Sequence, residues 1–461
     1  MPKKSKYIDI SERKLLLRVF DITVIIVSIS IAFFYTSFNY IKVNNNLAYL
    51  WFLVLAVYYL LFGEVFQLYN LKISSNGFTV VRSTLITAFV TTIFYVFSPY
   101  ITPSLPENRL QIVAFFLMLS VPVILWRFLY IRILFSPKYF KTIIVVGHTS
   151  VIDRLTELKP FTSLHNIPAY VSNETIEGLQ NFHDVTSVDL RKLIKMYPAI
   201  TEIVISTSGF STDVVKEINK QLITLFEKGI NIKSFETYYE EVTDRIPKEY
   251  LTDKFYKEIN FSKNEENSFY LFVRRITEII IATIGLLLLV SVLPLIIIGN
   301  LLGNRGPLFY VQERVGFKGD IFKIIKLRSM VKNAESNGAV WAEKNDKRIT
   351  FFGKFLRRTR LDESPQFFNV LKGDMSIIGP RPERPEFVNE LEKDIPFYVI
   401  RHIVRPGLTG WAQVNYPYAN SFEEQETKLR YDLYYIKERN AFLDFKILIK
   451  TITTVLFFRG Q

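Results

Sequence analysis

The sequence has 461 residues, 49% of them hydrophobic, a formal net charge of +13 and no cysteine. This length allows two or three domains, and the hydrophobicity indicates membrane-spanning segments. The lack of cysteine excludes disulfides and thiolate metal sites, and four scattered histidines argue against a histidine-built zinc site. The basic charge favours an anionic partner, but no recognition motif accompanies it, so we predict no nucleic-acid partner.

The first part of the chain is predicted to be a membrane unit. Residues 1–15 are polar and basic and lack a signal-peptide cleavage pattern, so we interpret them as a cytoplasmic tail. Residues 16–136 contain four apolar stretches, each near the roughly 20 residues that a spanning helix needs. The stretches are 19–40, 47–69, 80–100 and 110–135. Basic residues flank this unit while its loops carry little charge, which places both of its ends in the cytoplasm.

Four charged residues interrupt these apolar stretches near their ends or inward faces: Asp21, Glu64, Arg82 and Arg127. Ionisable groups within a membrane are costly unless they pair with one another or reach the interface. We therefore expect interhelical pairing or interfacial placement, with a substrate path as the alternative.

Residues 141–261 change in character. Predicted strands at 142–146, 203–206 and 230–235 alternate with helical segments, of which 213–228 is amphipathic and ends before Gly229. Strands that alternate with helices predict a small Rossmann-like α/β module. A dinucleotide loop needs three glycines, and the first strand is followed by Gly147 alone. We therefore expect a structural or regulatory module that binds no NAD.

Residues 269–303 contain a further apolar run, 279–298, that is long enough to cross a bilayer. Both of its flanks are basic, so a spanning helix would place one basic flank outside the cell. Pro294 removes a helix hydrogen bond, and Ser291 is positioned to satisfy a freed carbonyl. We predict a re-entrant helix broken at Pro294, with a kinked spanning helix as the alternative.

Residues 304–461 are predicted to form a mainly helical cytosolic domain. Asp362 and Glu363, the carboxylate pair, precede Ser364 and Pro365, which suit an N-cap and a first helical position. Anions are favoured at helix N-termini, although acidic residues there are common without any function. Cations and a hydroxyl in nearby motifs favour a functional site over a helix start without function. These residues are Lys326, Arg328, Ser329, Arg357, Arg381 and Arg405.

Guanidinium groups bind phosphate oxygens at two points, and the prolines around Arg381 and Arg405 stiffen their loops. A carboxylate pair within a cationic ring therefore predicts phosphoryl transfer with a divalent ion. One carboxylate would be the nucleophile, and the other would help to hold Mg²⁺.

These motifs resemble the bacterial sugar transferase family, the monotopic phosphoglycosyl transferases. The resemblance covers about residues 274–461 and is carried by GPLFYVQERVG at 306–316, KLRSM at 326–330, LDE at 361–363, GPRP at 379–382 and RPGLTGW at 405–411. The N-terminal helices and the α/β module are similar to the large, exopolysaccharide-type members. Two residues depart from the family pattern: Glu278, where Asp is frequent, and Ser364, where an apolar residue is usual.

The resemblance implies that Asp362 attacks the β-phosphate of a UDP-sugar, releases UMP and passes the sugar 1-phosphate to undecaprenyl phosphate. It also implies that Glu363 is the Mg²⁺-associated partner, with Asp362 as the other metal ligand, and that Arg357 contacts phosphate. Phosphate or nucleotide contacts are further implied for Lys326, Arg328, Arg381 and Arg405. Glucose or galactose is the expected sugar, and an N-acetylated sugar stays open.

The same resemblance implies a place in the bacterial inner membrane, with the catalytic domain facing the cytoplasm. The reaction would be the first membrane step of exopolysaccharide or O-antigen synthesis. Besides the lipid bilayer, a second copy of the chain and polysaccharide-assembly proteins are suggested partners. The stretch 445–458 would lie along the membrane surface or serve as an ordinary packing helix.

Two other functions remain open. A membrane-anchored nucleotide-sugar dehydratase or epimerase would need a Tyr-x-x-x-Lys pair, which Tyr250 and Lys254 match, and a glycine-rich loop, which the sequence lacks. A non-catalytic scaffold for polysaccharide assembly would have no reason to combine the carboxylate pair with a ring of arginines.

Overall fold

The computed structural model describes residues 10–70, 77–106, 108–133, 141–154, 165–252, 255–258, 267–332, 334, 346–416 and 421–456. The chain forms two compact units, Met1–Thr243 and Asp244–Gln461. The boundary lies before residue 261, the predicted end of the α/β module. The physical reason is packing, because Ile246, Tyr250 and Phe255 belong to the buried core of the second unit.

Four apolar helices of the first unit overlap the four predicted hydrophobic stretches, although the first helix begins within the predicted tail 1–15. They are α1 (Ile10–Tyr35), α2 (Ala48–Val65), α3 (Gly77–Val96) and α4 (Leu110–Ile133). Each is long and apolar enough to cross a membrane by length and composition, as is one helix of the second unit. Aromatic and aliphatic side chains from the four helices share one buried core.

Three of the four charged residues singled out in these helices, Asp21, Glu64 and Arg127, pair between helices as expected, whereas Arg82 is exposed. Arg127 of α4 donates to Asp21 of α1, with 2.5 Å between Arg127 Nη2 and Asp21 Oδ2. Arg18 of α1 likewise pairs with Glu64 of α2. Because a charge in an apolar environment is costly when unpaired, these two pairs explain why acidic residues are tolerated in apolar helices.

The rest of the first unit is a parallel α/β module, which confirms the predicted alternation. Its six strands are β1 (Lys141–Val146), β2 (His165–Asn166), β3 (Tyr170–Ser172), β4 (Phe182–Asp184), β5 (Glu202–Ile205) and β6 (Asn231–Ser234). They run in the order β4-β3-β1-β5-β6, with β2 also pairing with β1. The helices are α5 (Thr149–Ile152), α6 (Leu190–Met196), α7 (Thr212–Glu227) and α8 (Phe235–Thr243).

The second unit combines one long apolar helix with short strands and helices. Its helices are α9 (Phe255–Glu258), α10 (Ser268–Gly303), α11 (Phe351–Arg358), α12 (Gln366–Lys372), α13 (Pro385–Asp394), α14 (Trp411–Asn415), α15 (Phe422–Glu438) and α16 (Ala441–Leu456). An antiparallel hairpin joins β7 (Phe309–Val315) to β8 (Ile321–Leu327), and β9 (Ser376–Ile378) pairs in parallel with β10 (Gly407–Thr409).

The long helix α10 runs for 36 residues through Pro294 without an interruption. The predicted division into two helices is therefore not found. Ser291 donates to the carbonyl of Leu288 at 2.7 Å, whereas proline at 294 frees the carbonyl four residues before it, that of Val290. The predicted role of Ser291 in satisfying the freed carbonyl was thus wrong, because its hydroxyl bonds to the carbonyl three residues earlier.

Candidate active site

The carboxylate pair lies in a 3-10 turn, Leu361–Glu363, between α11 and α12. Arg360 begins this turn with a left-handed backbone, φ +59°, which is uncommon for a residue with a side chain. The reversal ends α11 and turns the chain so that β8 and α11 both pack against the carboxylate turn. A strained residue of this kind is typical of functional sites.

Ser364 does not cap a helix, contrary to the prediction. Its hydroxyl donates to the carbonyl of Leu361 at 2.6 Å, so it closes the 3-10 turn. Helix α12 then begins at Gln366 with no side-chain cap. Gly373 ends that helix at φ +97°. The carboxylate pair therefore precedes α12 by one tight turn.

Glu363 is held by two arginines. Its Oε1 accepts from Arg381 Nη2 at 2.6 Å, and its Oε2 accepts from Arg360 Nη1 at 3.3 Å. Burial raises the pKa of Glu363, but Arg381, Lys326 and Arg360 outweigh that effect and hold the pKa well below its usual range. Glu363 is therefore ionised at any physiological pH, and both of its oxygens are engaged.

Asp362 is in a different state, although it is the adjacent residue. It is 9% exposed, and its Oδ1 has no hydrogen-bond partner within the described part of the chain. Burial and the charge of Glu363 raise its pKa to about 6, against the attraction of Lys326, Arg357 and Arg360. Asp362 thus offers an ionised carboxylate with an oxygen available to react or to bind a cation at neutral pH.

Lys326 lies one residue before the end of β8. Burial lowers the pKa of its ammonium group to about 8, although Glu363 and Asp362 favour the charged form. Arg357, in the last turn of α11, also lowers the pKa of Asp362 by its charge, and its Nε donates to Ser329 Oγ at 2.9 Å. The structure therefore brings Lys326, Arg357 and the carboxylate pair together, with Ser329 orienting Arg357.

The other predicted site residues lie elsewhere or face other partners. Arg328 is buried, and its Nη2 donates to the carbonyl of Asn304 at 3.0 Å, beside Gly306. Arg405 is exposed, in the loop before β10. Pro294 lies within α10. Phosphate contacts by Arg328 and Arg405 stay predictions.

Several residues at or behind the site were not singled out from the sequence. Gln413 accepts from Arg381 Nη1 at 3.1 Å through its Oε1. The other residues are Glu383, Arg401, Lys428 and Asp432, which form buried ion pairs. Lys428 and Asp432, four residues apart, fit the spacing of a surface ion pair on a helix. The apolar residues around them in the sequence, Leu429, Leu433 and Ile436, were the feature that could have predicted their burial.

The Asp362 oxygen that lacks a hydrogen-bond partner is the kind of ligand that Mg²⁺ takes. Mg²⁺ commonly takes one or two carboxylates together with substrate phosphates, rather than a cage made only of protein groups. Among the described residues, no group of three or more histidine or acidic side chains is arranged to hold a metal. A metal at this position would therefore depend on Asp362 and on the phosphates of a substrate.

Comparison with known proteins gives the class of this site. Residues 269–458 match the model of the family described as bacterial sugar transferase. A Bacillus subtilis protein is 49% identical over 142 residues, which cover 31% of this chain and 79% of the relative. Its name gives undecaprenyl-phosphate N-acetylgalactosaminyl 1-phosphate transferase as an unproven activity. The chain therefore belongs to the bacterial sugar transferase family.

Two longer relatives carry related names. The UDP-N-acetylgalactosamine-undecaprenyl-phosphate N-acetylgalactosaminephosphotransferase of Aeromonas hydrophila is 46% identical over 41% of this chain and 44% of the relative. The UDP-glucose:undecaprenyl-phosphate glucose-1-phosphate transferase of Escherichia coli is 41% identical over 39% of each chain. The match thus spans less than half of the length of these two relatives.

Proposed function

We propose that this protein transfers a hexose 1-phosphate from a UDP-sugar to undecaprenyl phosphate, with release of UMP. The observation that carries the proposal is the contrast within the carboxylate pair. Asp362 keeps a buried oxygen without a partner, while Glu363 is clamped by Arg381 and Arg360. The names of the relatives, which include both substrates, support the same reaction.

In the proposed reaction, a carboxylate oxygen of Asp362 attacks the β-phosphorus of the donor. The bond between this phosphorus and the bridging oxygen breaks, and UMP leaves with that oxygen. A phosphate oxygen of undecaprenyl phosphate then attacks the phosphorus of the aspartyl phosphosugar and releases Asp362. Covalent catalysis of this kind separates a soluble donor from a lipid acceptor in time, so one site can serve both.

The cations have separate roles in this proposal. The charges of Lys326 and Arg357 favour the ionised form of Asp362, and they would neutralise the charge of the incoming diphosphate. Arg381 already holds Glu363 and Gln413, so it orients Glu363 more than it binds substrate. Bound Mg²⁺ would supply charge neutralisation at the diphosphate, with Asp362 as its protein ligand and Glu363 beside it.

The test is UMP release by the purified full chain with undecaprenyl phosphate and a panel of donors. The panel contains UDP-glucose, UDP-galactose, UDP-N-acetylglucosamine and UDP-N-acetylgalactosamine, because the names of the relatives include more than one sugar. We expect UMP release with at least one donor, dependent on the lipid for turnover. No release with any donor would contradict the proposed function.

We also propose that α10 bends at Pro294 within the cytoplasmic leaflet of the inner membrane, so that both of its ends stay on the cytoplasmic side although its helical structure is continuous. Both of its ends are bonded within the same unit. Arg275 Nη1 donates to the carbonyl of Val370 at 2.8 Å, and Asn304 Nδ2 donates to the carbonyl of Arg328 at 2.8 Å. A crossing helix would place Val370 and Arg328, the two partners from one compact unit, on opposite sides of the bilayer.

The middle of α10 supports the same arrangement. Gly285 allows close approach of Phe367 of α12, and Gly299 allows close approach of Phe352 of α11. Both α11 and α12 adjoin the charged carboxylate turn, which cannot enter hydrocarbon. Phe351 is 91% exposed, and with Phe368 it would cover the boundary between lipid and water.

Single cysteines test this topology, because the native sequence has none. Ser268→Cys and Arg305→Cys lie at the two exposed ends of α10. We expect a membrane-impermeant maleimide to label neither in intact cells and both in inverted vesicles. Asn46→Cys, in the loop after α1, is the control that should be labelled from outside. Outside labelling of Arg305→Cys would contradict re-entry.

A further inference from the structure

Buried charges lie behind the loop that carries Arg381. Arg401 and Asp432 are 2% and 1% exposed and form an ion pair, with 2.6 Å between Arg401 Nη2 and Asp432 Oδ2. The same Nη2 donates to the backbone carbonyl of Arg381 at 3.1 Å. Arg401 Nη1 donates to the hydroxyl of Tyr398 at 2.6 Å. Arg401 is therefore held by Asp432 and Tyr398, and it is also bonded to the backbone of Arg381.

Neighbouring charges fix the same loop at two further points. Arg314 Nη1 donates to the carbonyl of Pro382 at 3.0 Å, and Lys428 Nζ donates to Glu383 Oε1 at 2.5 Å. The side chain of Arg381, in turn, divides its two Nη atoms between Glu363 and Gln413. The orientation of the Glu363 carboxylate therefore depends on where the backbone of Arg381 is held.

Stability alone does not account for this ion pair. Burying two charges removes their hydration, and well-packed apolar side chains of similar size often stabilise a core at least as well. An apolar pair could not donate a hydrogen bond to the carbonyl of Arg381. We propose that Arg401, held in place by Asp432, is a positioning residue that sets the orientation of Arg381 and, through it, of Glu363.

This inference rests on the proposed function, and its test uses the full chain in detergent with undecaprenyl phosphate and the preferred UDP-sugar. The double variant Arg401→Met/Asp432→Leu replaces the ion pair by apolar side chains of similar size. We expect kcat per folded molecule to fall by about 10²-fold, as misplacement of catalytic groups does. The KM for the donor should change by less than about threefold, since the loss affects the transition state.

Arg401→Lys supplies the rescue measurement. An ammonium group can still pair with Asp432 and donate to the carbonyl of Arg381, so kcat should recover by about tenfold relative to the double variant. A purely structural role would instead make kcat per folded molecule insensitive to all these changes. Asp432→Asn should give a kcat between those of the wild type and the double variant, because the amide still bonds to Arg401 but holds it less strongly.

Arg430, which lies on α15 together with Asp432, provides a matched control. It is 8% exposed, and its Nε donates to the backbone carbonyl of Ile246 at 2.6 Å, in a different loop. Arg430→Met should lower the melting temperature but leave kcat per folded molecule within about twofold of the wild type.

Equal kcat in Arg430→Met and the double variant would overturn the inference while the proposed function stands. If the double variant does not fold, the single variants Asp432→Asn and Arg401→Lys provide the test. A kcat equal to that of the wild type in both of them would also overturn the inference. A wild-type chain that releases no UMP with any donor is a different result. It would contradict the proposed function and remove the basis of this inference with it.

Discussion

Glu202 of the α/β module and Asp362 of the second unit are both buried carboxylates, but their partners differ. Glu202 begins β5 and forms ion pairs with Lys141 and, at 3.4 Å, with Lys233 on the neighbouring strand β6. Glu202 Oε1 and Asp362 Oδ1 both lack a hydrogen-bond partner in the described chain, but Glu202 Oε1 lies in the ion pair with Lys233. Asp362 forms no ion pair with the described residues, and its lysine neighbour, Lys326, acts on it electrostatically.

The comparison separates two uses of a buried charge. A carboxylate whose partners come from neighbouring strands contributes to holding those strands together, and burial of the group is offset by pairing. A carboxylate that is buried near cations but forms no ion pair keeps an oxygen available for a ligand or a reaction. Substitutions at Asp362, Glu363, Lys326 and Glu202 test whether the two kinds of carboxylate differ in this way.

The largest expected effect is that of Asp362→Asn. An amide of the same shape cannot attack phosphorus, so turnover should fall by roughly 10³-fold or more. Wild-type protein incubated without lipid should gain a labelled phosphosugar from a UDP-sugar labelled at the β-phosphate. Mass spectrometry should place this label on Asp362, and the variant should gain none. Near-normal turnover by the variant would instead favour direct attack by the lipid phosphate.

Glu363→Gln should have the next largest effect, with kcat lower by about 10²-fold. A neutral amide holds Arg381 and Arg360 less strongly, so both guanidinium groups would move relative to Asp362. The Mg²⁺ dependence of the rate should also shift, measured by titration with the metal. Glu386→Gln is the control, because that side chain is 64% exposed on α13. Equal rates in the two variants would contradict a role for Glu363.

The pH dependence of kcat/KM should be bell-shaped. Asp362 must be ionised to attack, and burial raises its pKa to about 6, so activity should be lost as pH falls through about 6. Lys326 must be protonated to attract phosphate, and burial lowers its pKa to about 8, so activity should be lost as pH rises through about 8.

Lys326→Arg separates these two limbs. A guanidinium group stays charged across the measured range, so the alkaline limb should disappear while the acid limb remains. Activity at the optimum should fall as well, because the longer, planar group cannot take the same position. An unchanged alkaline limb in this variant would assign that limb to another group.

Much of the architecture followed from periodicity and motif order. The four apolar helices and the three longer strands of the module lie where the sequence indicates. The strands β2, β3 and β4 were missed because each is only two or three residues long, too short to show a period of two. The helix α10 continues through Pro294, so this proline alone did not predict where the helix ends.

The site was predictable in its reacting groups but not in its connections. Asp362, Glu363, Lys326 and Arg357 come together as their motifs suggested. The bond from Arg381 to Glu363 joins residues 18 positions apart, and that from Arg401 to Asp432 joins residues 31 apart. Such distances in sequence carry no periodic signal, so only the folded chain shows which arginines are bonded to a carboxylate.

The smallest expected effect on catalysis is that of Glu202→Gln. Lys141 and Lys233 would lose an ionised partner, but their side chains are 16% and 25% exposed, so water can partly replace it. The free energy of opening of the module should fall by about 1–3 kcal/mol, the cost of leaving a buried polar group poorly paired. Hydrogen exchange of the amides in β1 and β5 measures that opening directly.

Glu241→Gln is the control for this measurement. Glu241 also pairs with Lys233, at 2.7 Å, but is 46% exposed, so its loss should cost less than about 1 kcal/mol. In both variants the rate of UMP release per folded molecule and the adduct on Asp362 should equal those of the wild type, because neither residue belongs to the carboxylate turn. If Glu202→Gln instead lost the adduct as Asp362→Asn should, pairing would not distinguish the structural carboxylate from the reactive one.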